Sequence, residues 1–131
     1  WLFGPGGRNF VDTILGALGT RETVEVVDDQ TGSPTYAPDL AAALVALVEA
    51  GGRGLYHVAN AGAGSWYDLA REAARLAGLD PARVRPAPTA VVGRPAPRPP
   101  FSVLDSSRAR ERHGIELRSW RDALRAHVEH R

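Results

Sequence analysis

The stretch from Val26 to Leu44, "VVDDQTGSPTYAPDLAAAL", has three parts of different character within nineteen residues. It begins as an apolar, β-branched run, continues as a small polar turn and ends as an alanine-rich run. β-branched residues favour strands, whereas alanine and leucine favour helices. The order therefore predicts a strand, a turn and a helix, and turns of this kind lie at the edge of α/β sheets where ligands bind.

Similar elements are predicted on both sides of this stretch. Apolar residues at helical spacing indicate further helices, and short apolar runs at 1–3, 24–27 and 55–59 indicate strands. Alternating strands and helices are typical of α/β folds, but these strands are too few for a complete sheet. We expect residues 1–131 to form one α/β unit with an incomplete parallel sheet plus helices. Residues 1–3 and 55–59 are expected to join a sheet whose other strands precede Trp1.

Composition excludes several classes of function. A net charge of +1 gives no basic field for nucleic acid. No apolar run approaches the ~20 residues that a membrane span requires, and no signal segment is recognisable. Because the chain has no cysteine, it can form neither a disulfide framework nor a thiolate metal site. We expect a cytoplasmic protein that binds neither nucleic acid nor membrane.

All sixteen basic residues are arginine. Mechanisms that require a lysine, such as Schiff-base formation or the Tyr-x-x-x-Lys pair of short-chain dehydrogenases, therefore cannot use a residue of this chain. Arginine stays charged and is poorly suited to proton transfer. We expect the arginines to bind ligands and not to act as acids or bases.

Four segments together resemble the C-terminal part of the dTDP-4-dehydrorhamnose reductase family, within the extended short-chain dehydrogenases and their NAD(P)-binding Rossmann fold. Their order and spacing agree over nearly the whole chain, at "WLFGPGGRNFV" (1–11), "VVDDQTGSPTYAPDLA" (26–41), "GLYHVANAGAGSWYDLA" (54–70) and "RPAPRPPFSVLD" (94–105). The resemblance implies the C-terminal, substrate-binding part of an enzyme that uses NADPH to reduce the 4-keto group of a dTDP-6-deoxy-hexulose, giving dTDP-L-rhamnose. It also implies that the glycine-rich cofactor turn and the catalytic Tyr-x-x-x-Lys pair precede Trp1. NADPH is then bound mainly outside this chain, which holds no catalytic residue and should be inactive alone.

The substrate-binding residues predicted from the turns are mostly neutral. Gln30 and Thr35 can bond to a ligand, whereas the carboxylates beside them would repel a diphosphate. By resemblance, Trp1 lies against the substrate sugar. Asn9 and Phe10 open a helix whose free amides favour phosphate groups. Each has a structural alternative, namely turn formation, helix capping or core packing.

Arg98 is the strongest single candidate for the diphosphate. The family motif carries an Arg-Pro pair before the Ser-x-Leu-Asp turn, and an arginine fork suits phosphate oxygens. The run "RPAPRPP" contains two such pairs, however, so Arg94 is the alternative. A solvated arginine on a proline-rich loop is the structural interpretation of either residue.

No metal site is predicted. His57 is expected to be a packed core residue, and the other histidines lack metal-ligand spacing. Some relatives use a divalent ion such as Mg²⁺ at a subunit contact formed by acidic residues, and no acidic cluster in this sequence supports one. The resemblance makes a homodimer a further expectation.

Two other functions stay open from the sequence. One is a non-catalytic scaffold, such as the regulatory subunit of methionine adenosyltransferases. The other is an epimerase or dehydratase that acts on another nucleotide sugar. The segment "DDQTGSPTYA" (28–37) favours the reductase, because the equivalent turn of those enzymes usually carries an arginine and an aromatic residue.

Overall fold

The computed structural model describes residues 1–92 and 96–131 and has the predicted α/β architecture. A short 3₁₀ helix follows the third α-helix, at Pro81–Arg83. The α-helices are α1 Phe10–Leu18, α2 Ala37–Glu49, α3 Trp66–Leu76, α4 Thr89–Val92, α5 Ser107–His113 and α6 Trp120–Glu129. The strands are β1 Leu2–Phe3, β2 Val24–Val27, β3 Thr31–Gly32, β4 Thr35–Tyr36, β5 Asn60–Ala61, β6 Gly64–Ser65, β7 Val84–Ala87, β8 Phe101–Ser102 and β9 Leu117–Ser119.

The strands of the described residues pair in small, mainly parallel groups. Parallel pairs join β1 with β4, β2 with β7 and β5 with β9. β3 lies at the centre of a three-stranded group, antiparallel to β6 and parallel to β8. This confirms the predicted incomplete parallel sheet. It also gives β3, the strand inside the opening polar turn, neighbours on both sides.

Two apolar clusters hold the helices against these strands. The first combines side chains of β1, β4, α1, α3 and α6, including the buried Trp120 and Leu124. The second combines β2 and β7 with the faces of α1 and α3 that contain Leu18 and Ala74. Phe10 and Trp66 are partly buried and pack against both clusters. The first residues of α1 and α3 are therefore fixed from two directions.

Residues 55–59, predicted as a strand, are not part of any strand among the described residues. Tyr56 and Val58 are half-buried while Leu55 and His57 are exposed, as in a strand, but no neighbouring strand pairs with them among the described residues. Pairing begins only at Asn60. Since one face of this segment is open to solvent, the predicted core position of His57 is wrong. Membership of residues 1–3 and 55–59 in a larger Rossmann sheet stays a prediction.

A buried polar network joins α2 to the C-terminal region. Asn60 is 3% exposed, and its oxygen accepts from the Tyr36 amide at 2.7 Å. Its Nδ2 donates to Asp39 at 2.8 Å and to the Arg118 carbonyl at 3.1 Å. Arg118 also binds both carboxylate oxygens of Asp39, at 2.8 Å each. Burial alone would raise the pKa of Asp39, but the bonds from Arg118 and Asn60 outweigh it and lower the pKa.

None of the helices in the described part of the chain has the length and the apolar character that crossing a bilayer requires.

The lowered pKa of Asp39 predicts a pH-dependent contribution to stability. The carboxylate stabilises the fold above the ordinary aspartate pKa of 3.8, and this contribution is lost as the pH falls through the lower folded-state pKa. At neutral pH, Asp39→Asn should lower the free energy of unfolding. The difference in unfolding free energy between this variant and wild type should become smaller below about pH 4. Urea unfolding across this range measures it.

Glu116→Gln is the control, because Glu116 is an exposed carboxylate with no ion pair among the described residues. It should leave the pH profile unchanged. If the difference in unfolding free energy between wild type and Asp39→Asn were the same at acid and neutral pH, the lowered pKa of Asp39 would be contradicted.

Candidate substrate-binding site

The three-stranded group around β3 brings distant parts of the chain to one pocket. Gln30 immediately precedes β3, Trp66 immediately follows β6, and Arg98 lies three residues before β8. The Thr31 amide also donates to the Pro100 carbonyl at 2.8 Å, which holds the proline-rich segment against the turn. The pocket has a volume of about 370 Å³ and is lined by Trp1, Gln30, Trp66, Arg98, Pro99 and Ser102.

Two stacked indoles form the aromatic wall of this pocket. The rings of Trp1 and Trp66 lie 3.8 Å apart and are inclined by only 10°. Phe10 packs against Trp66 at 4.7 Å with a tilt of 59°. The backbone of Trp1 is held as well, because its carbonyl accepts from the Thr35 amide at 2.8 Å. A flat, rigid apolar surface of this kind suits the C–H face of a sugar or the face of a base.

Gly32 is required because the Trp1 indole lies directly over its α-carbon. A β-carbon built at Gly32 would overlap the six-membered edge and the nitrogen of that indole. The backbone of Gly32 is at the same time paired with Gly64 on one side and Ser102 on the other. Neither partner can move away without breaking the three-stranded group. The close approach of ring and backbone therefore sets the position of the aromatic wall.

Gln30 is the polar side chain at the base of the pocket. It is 7% exposed, and its Nε2 donates to the Thr89 hydroxyl at 2.8 Å. Asp29 holds Thr89 in turn, since both carboxylate oxygens accept from the Thr89 amide at 3.0 Å. The hydroxyl of Thr89 also donates to Asp29. The bond from this hydroxyl is the largest of the interactions that lower the pKa of Asp29.

Arg98 is the cationic member of the pocket lining. It is exposed, and it forms no ion pair with any residue in the described part of the chain. Its guanidinium can therefore bind an anionic ligand. Arg94, the alternative from the sequence, lies outside the described residues. Ser102 lies near Arg98 in the lining and donates to the Thr31 carbonyl at 3.3 Å.

The other three predicted residues do not line this pocket. Asn9 caps α1, where its oxygen accepts from the Asp12 amide at 3.0 Å and its Nδ2 donates to Gly4 and Asp12. Thr35 is 3% exposed, and its hydroxyl donates to the Ser33 carbonyl at 3.0 Å. Phe10 supports Trp66. Each of these residues thus has a structural role in the fold, and its contact with a substrate stays a prediction.

Sequence reasoning missed Trp66 and Thr89. Trp66 follows the capping residue Ser65, whose hydroxyl accepts from the Asp68 amide at 3.0 Å. A tryptophan in the first turn of an amphipathic helix predicts core packing, so its sequence position gave no sign of a pocket wall. Thr89 is 59 residues from Gln30, and no local pattern links them.

The site has no donor set for a metal. Within the described ranges, no three His, Cys, Asp or Glu side chains converge. The pocket instead combines an aromatic wall, one guanidinium and one amide. These groups suit a ligand with a planar or apolar part, an anionic part and neutral polar groups.

Comparison with known proteins shows which fold the chain has. The crystal structure of dTDP-4-dehydrorhamnose reductase from Bacillus anthracis in complex with NADP matches the whole chain with a TM-score of 0.94 at 34% identity, over 46% of that protein. A dTDP-glucose 4,6-dehydratase from the same organism has a TM-score of 0.78 at 10% identity, which shows the fold alone. The chain thus has the fold of the extended short-chain dehydrogenases, a Rossmann-like class.

The family follows from the sequence comparisons. The model of the RmlD substrate binding domain matches residues 1–131, and the chain belongs to that family. A dTDP-4-dehydrorhamnose reductase of Streptomyces griseus is 47% identical over 129 residues, and a probable dTDP-4,6-dihydroxy-2-methyloxan-3-one 4-ketoreductase of Streptomyces antibioticus is 46% identical over 126. Each alignment covers 95% of this chain. The chain spans 42% and 43% of the length of these relatives.

Gly32→Ala should disrupt the aromatic wall. The added methyl group cannot fit under Trp1, so the indole must move and the Trp1–Trp66 stack should open. Overpacking of this kind costs roughly 1–3 kcal/mol of unfolding free energy. Circular dichroism of the coupled indoles and denaturant unfolding measure the two effects.

Gly16→Ala is the matched control. Gly16 lies on the exposed face of α1 with open space around it, so alanine there should raise stability by about 0.5–1 kcal/mol. The circular dichroism signal of the indoles in Gly16→Ala should equal that of wild type. If the signal of Gly32→Ala were also unchanged, the proposed contact between Gly32 and Trp1 would be wrong.

Proposed function

We propose that this chain is the sugar-nucleotide-binding part of a dTDP-4-dehydrorhamnose reductase. The full enzyme uses NADPH to reduce the 4-keto group of a dTDP-6-deoxy-hexulose and gives dTDP-L-rhamnose. The observation that carries the proposal is the meeting of Trp1, Gln30 and Arg98 in one pocket. These residues come from three separate motifs of the chain, and several relatives with more than 40% identity are named as reductases of this kind.

Each of the three residues has a distinct part in binding. Arg98 forms charge-assisted hydrogen bonds with the diphosphate. Trp1, fixed by Trp66 and Gly32, supports the apolar face of the sugar. Gln30 bonds to a neutral polar group of the ligand. Together they hold the ketone in one orientation, and orientation supplies a large share of the rate in a two-substrate reaction.

The chemical step requires groups that this chain does not carry. The nicotinamide supplies hydride when it is bound. Because the chain has no lysine, we expect residues outside it to bind the cofactor and to protonate the sugar oxygen. The 131-residue chain should therefore be inactive by itself. A homodimer and a cytoplasmic location stay predictions from the sequence.

Titration of the full-length protein with dTDP tests the proposal. Arg98→Ala should weaken the affinity for dTDP by roughly ten- to a hundredfold, because a charge-assisted bond to the diphosphate is lost. Arg98→Lys should recover only part of it, since an ammonium group cannot bind two oxygens as a fork does. Isothermal calorimetry measures these affinities, and the affinity for NADPH should stay the same.

Arg112→Ala is the matched control, because Arg112 is an exposed arginine on α5 outside the pocket lining. It should bind dTDP like wild type. Equal affinities for wild type and Arg98→Ala would remove Arg98 from the site. A folded wild-type protein that binds no dTDP would overturn the proposed function and favour a scaffold.

A further inference from the structure

The bonds around Thr89 have a fixed direction. Asp29 is a carboxylate, and it accepts both from the Thr89 amide and from the Thr89 hydroxyl. The hydrogen bond from that hydroxyl lowers the pKa of Asp29, so the carboxylate remains an acceptor through the neutral range. A hydroxyl has a single proton. Once the proton of Thr89 is donated to Asp29, its oxygen can only accept.

This direction decides which way the Gln30 amide is turned. The atom of Gln30 that lies 2.8 Å from the Thr89 oxygen must be a donor, and so it is Nε2. If the amide were rotated by half a turn, two acceptor oxygens would face each other. The two ends of an amide are otherwise nearly equivalent in shape. Asp29 therefore selects the orientation of Gln30 through Thr89.

The carbonyl oxygen of Gln30 is left for the pocket. Gln30 is more than nine-tenths buried and lines the pocket beside Trp1 and Arg98. Its oxygen accepts no hydrogen bond from the described residues, and no side-chain polar atom among them is both fully buried and unpartnered. The oxygen is therefore not fully enclosed, and the side chain that carries it lines the pocket. A largely buried acceptor of this kind is satisfied by a donor on a ligand.

We infer that Asp29 and Thr89 are positioning residues that hold the Gln30 carbonyl oxygen toward the pocket. There the oxygen accepts a hydrogen bond from a neutral donor of the bound nucleotide sugar. This inference rests on the proposed function. The donor is either a sugar hydroxyl or the N–H of the base, since both offer a polar hydrogen without charge. The diphosphate has no such hydrogen and would be repelled by the oxygen, so it belongs with Arg98.

A specificity rule follows from this orientation. A ligand that covers this oxygen without offering a donor leaves the acceptor buried and unpaired, and the cost of such a group exceeds the net value of an ordinary hydrogen bond. Gln30 thus discriminates between sugar nucleotides by the presence of one hydrogen. The Trp1 wall and Arg98 cannot do so, because they contact surfaces and charge that all these ligands share.

Variants of Thr89 in the full-length protein test the inference. Thr89→Val keeps the shape but removes the hydroxyl, so the amide is free to rotate. It should raise KM for the dTDP-4-keto sugar roughly tenfold, with kcat and the KM for NADPH little changed. Thr89→Ser restores the hydroxyl and should remain within about twofold of wild type. Equal melting temperatures for the two variants would separate this effect from a loss of folding.

Calorimetry with two further probes identifies the donor. If the base N–H is the donor, Thr89→Val also weakens the binding of free dTDP. The variant and wild type should then bind dTDP methylated at N3 of thymine with equal affinity. If a sugar hydroxyl is the donor, free dTDP binds wild type and Thr89→Val equally. Either result supports the fixed orientation of Gln30 when Thr89→Val also raises the KM for the keto sugar.

Two results would overturn it. Thr89→Val could bind every probe as wild type does, or Thr89→Ser could be as impaired as Thr89→Val. In both cases wild type still binds dTDP, so the proposed function stands and only the orientation fails. If wild type binds neither dTDP nor the keto sugar, the proposed function itself is wrong.

Discussion

The site depends on the pairing of Thr31 and Gly32 with strands on both sides. β3 is only two residues long, yet its antiparallel bond to β6 brings in Trp66 and its parallel bond to β8 brings in Arg98. The Trp1 indole then packs against Gly32, in the space that a side chain at position 32 would fill. A short strand can do this because the two apolar clusters already fix α1 and α3. The polar turn therefore lies at the centre of a pocket whose other lining residues come from distant parts of the chain.

The sequence predicted the helices and the α/β class well, because helical periodicity and capping are local. Ser65, for example, caps α3 as its spacing to Asp68 indicates. The strand predicted at 55–59 is unpaired among the described residues, and the reason is the opposite one. A strand is formed by its neighbours, and a strand-like alternation of side chains carries no information about whether a partner is present. The same limit explains His57, whose burial depends on what covers that face.

The site was predicted in part. Trp1, Gln30 and Arg98 were chosen because each lies in a motif with special residue types; the fold brings all three to one pocket, and their contact with a substrate stays a prediction. Asn9 and Thr35 were given ligand contacts, but their polar atoms are used by nearby backbone groups. A side chain close to a free amide or carbonyl forms that short-range bond first. Trp66 and Thr89 were missed because Trp66 reaches the pocket, and Thr89 contacts Gln30, only through the approach of distant segments.

The acidic residue beside the pocket illustrates why composition alone misjudges a site. A carboxylate near a diphosphate would normally weaken its binding, and on that ground Asp29 is a poor ligand contact. Its oxygens, however, are occupied by the amide and hydroxyl of Thr89, and that hydroxyl lowers its pKa. In the proposed complex the charge orients a neutral amide, while Arg98 from the segment before β8 binds the anion. Charge attracts the phosphates, and the oriented amide distinguishes what is attached to them. These two tasks are compatible because the carboxylate oxygens bond to Thr89, and the Asp29 side chain is not part of the pocket lining.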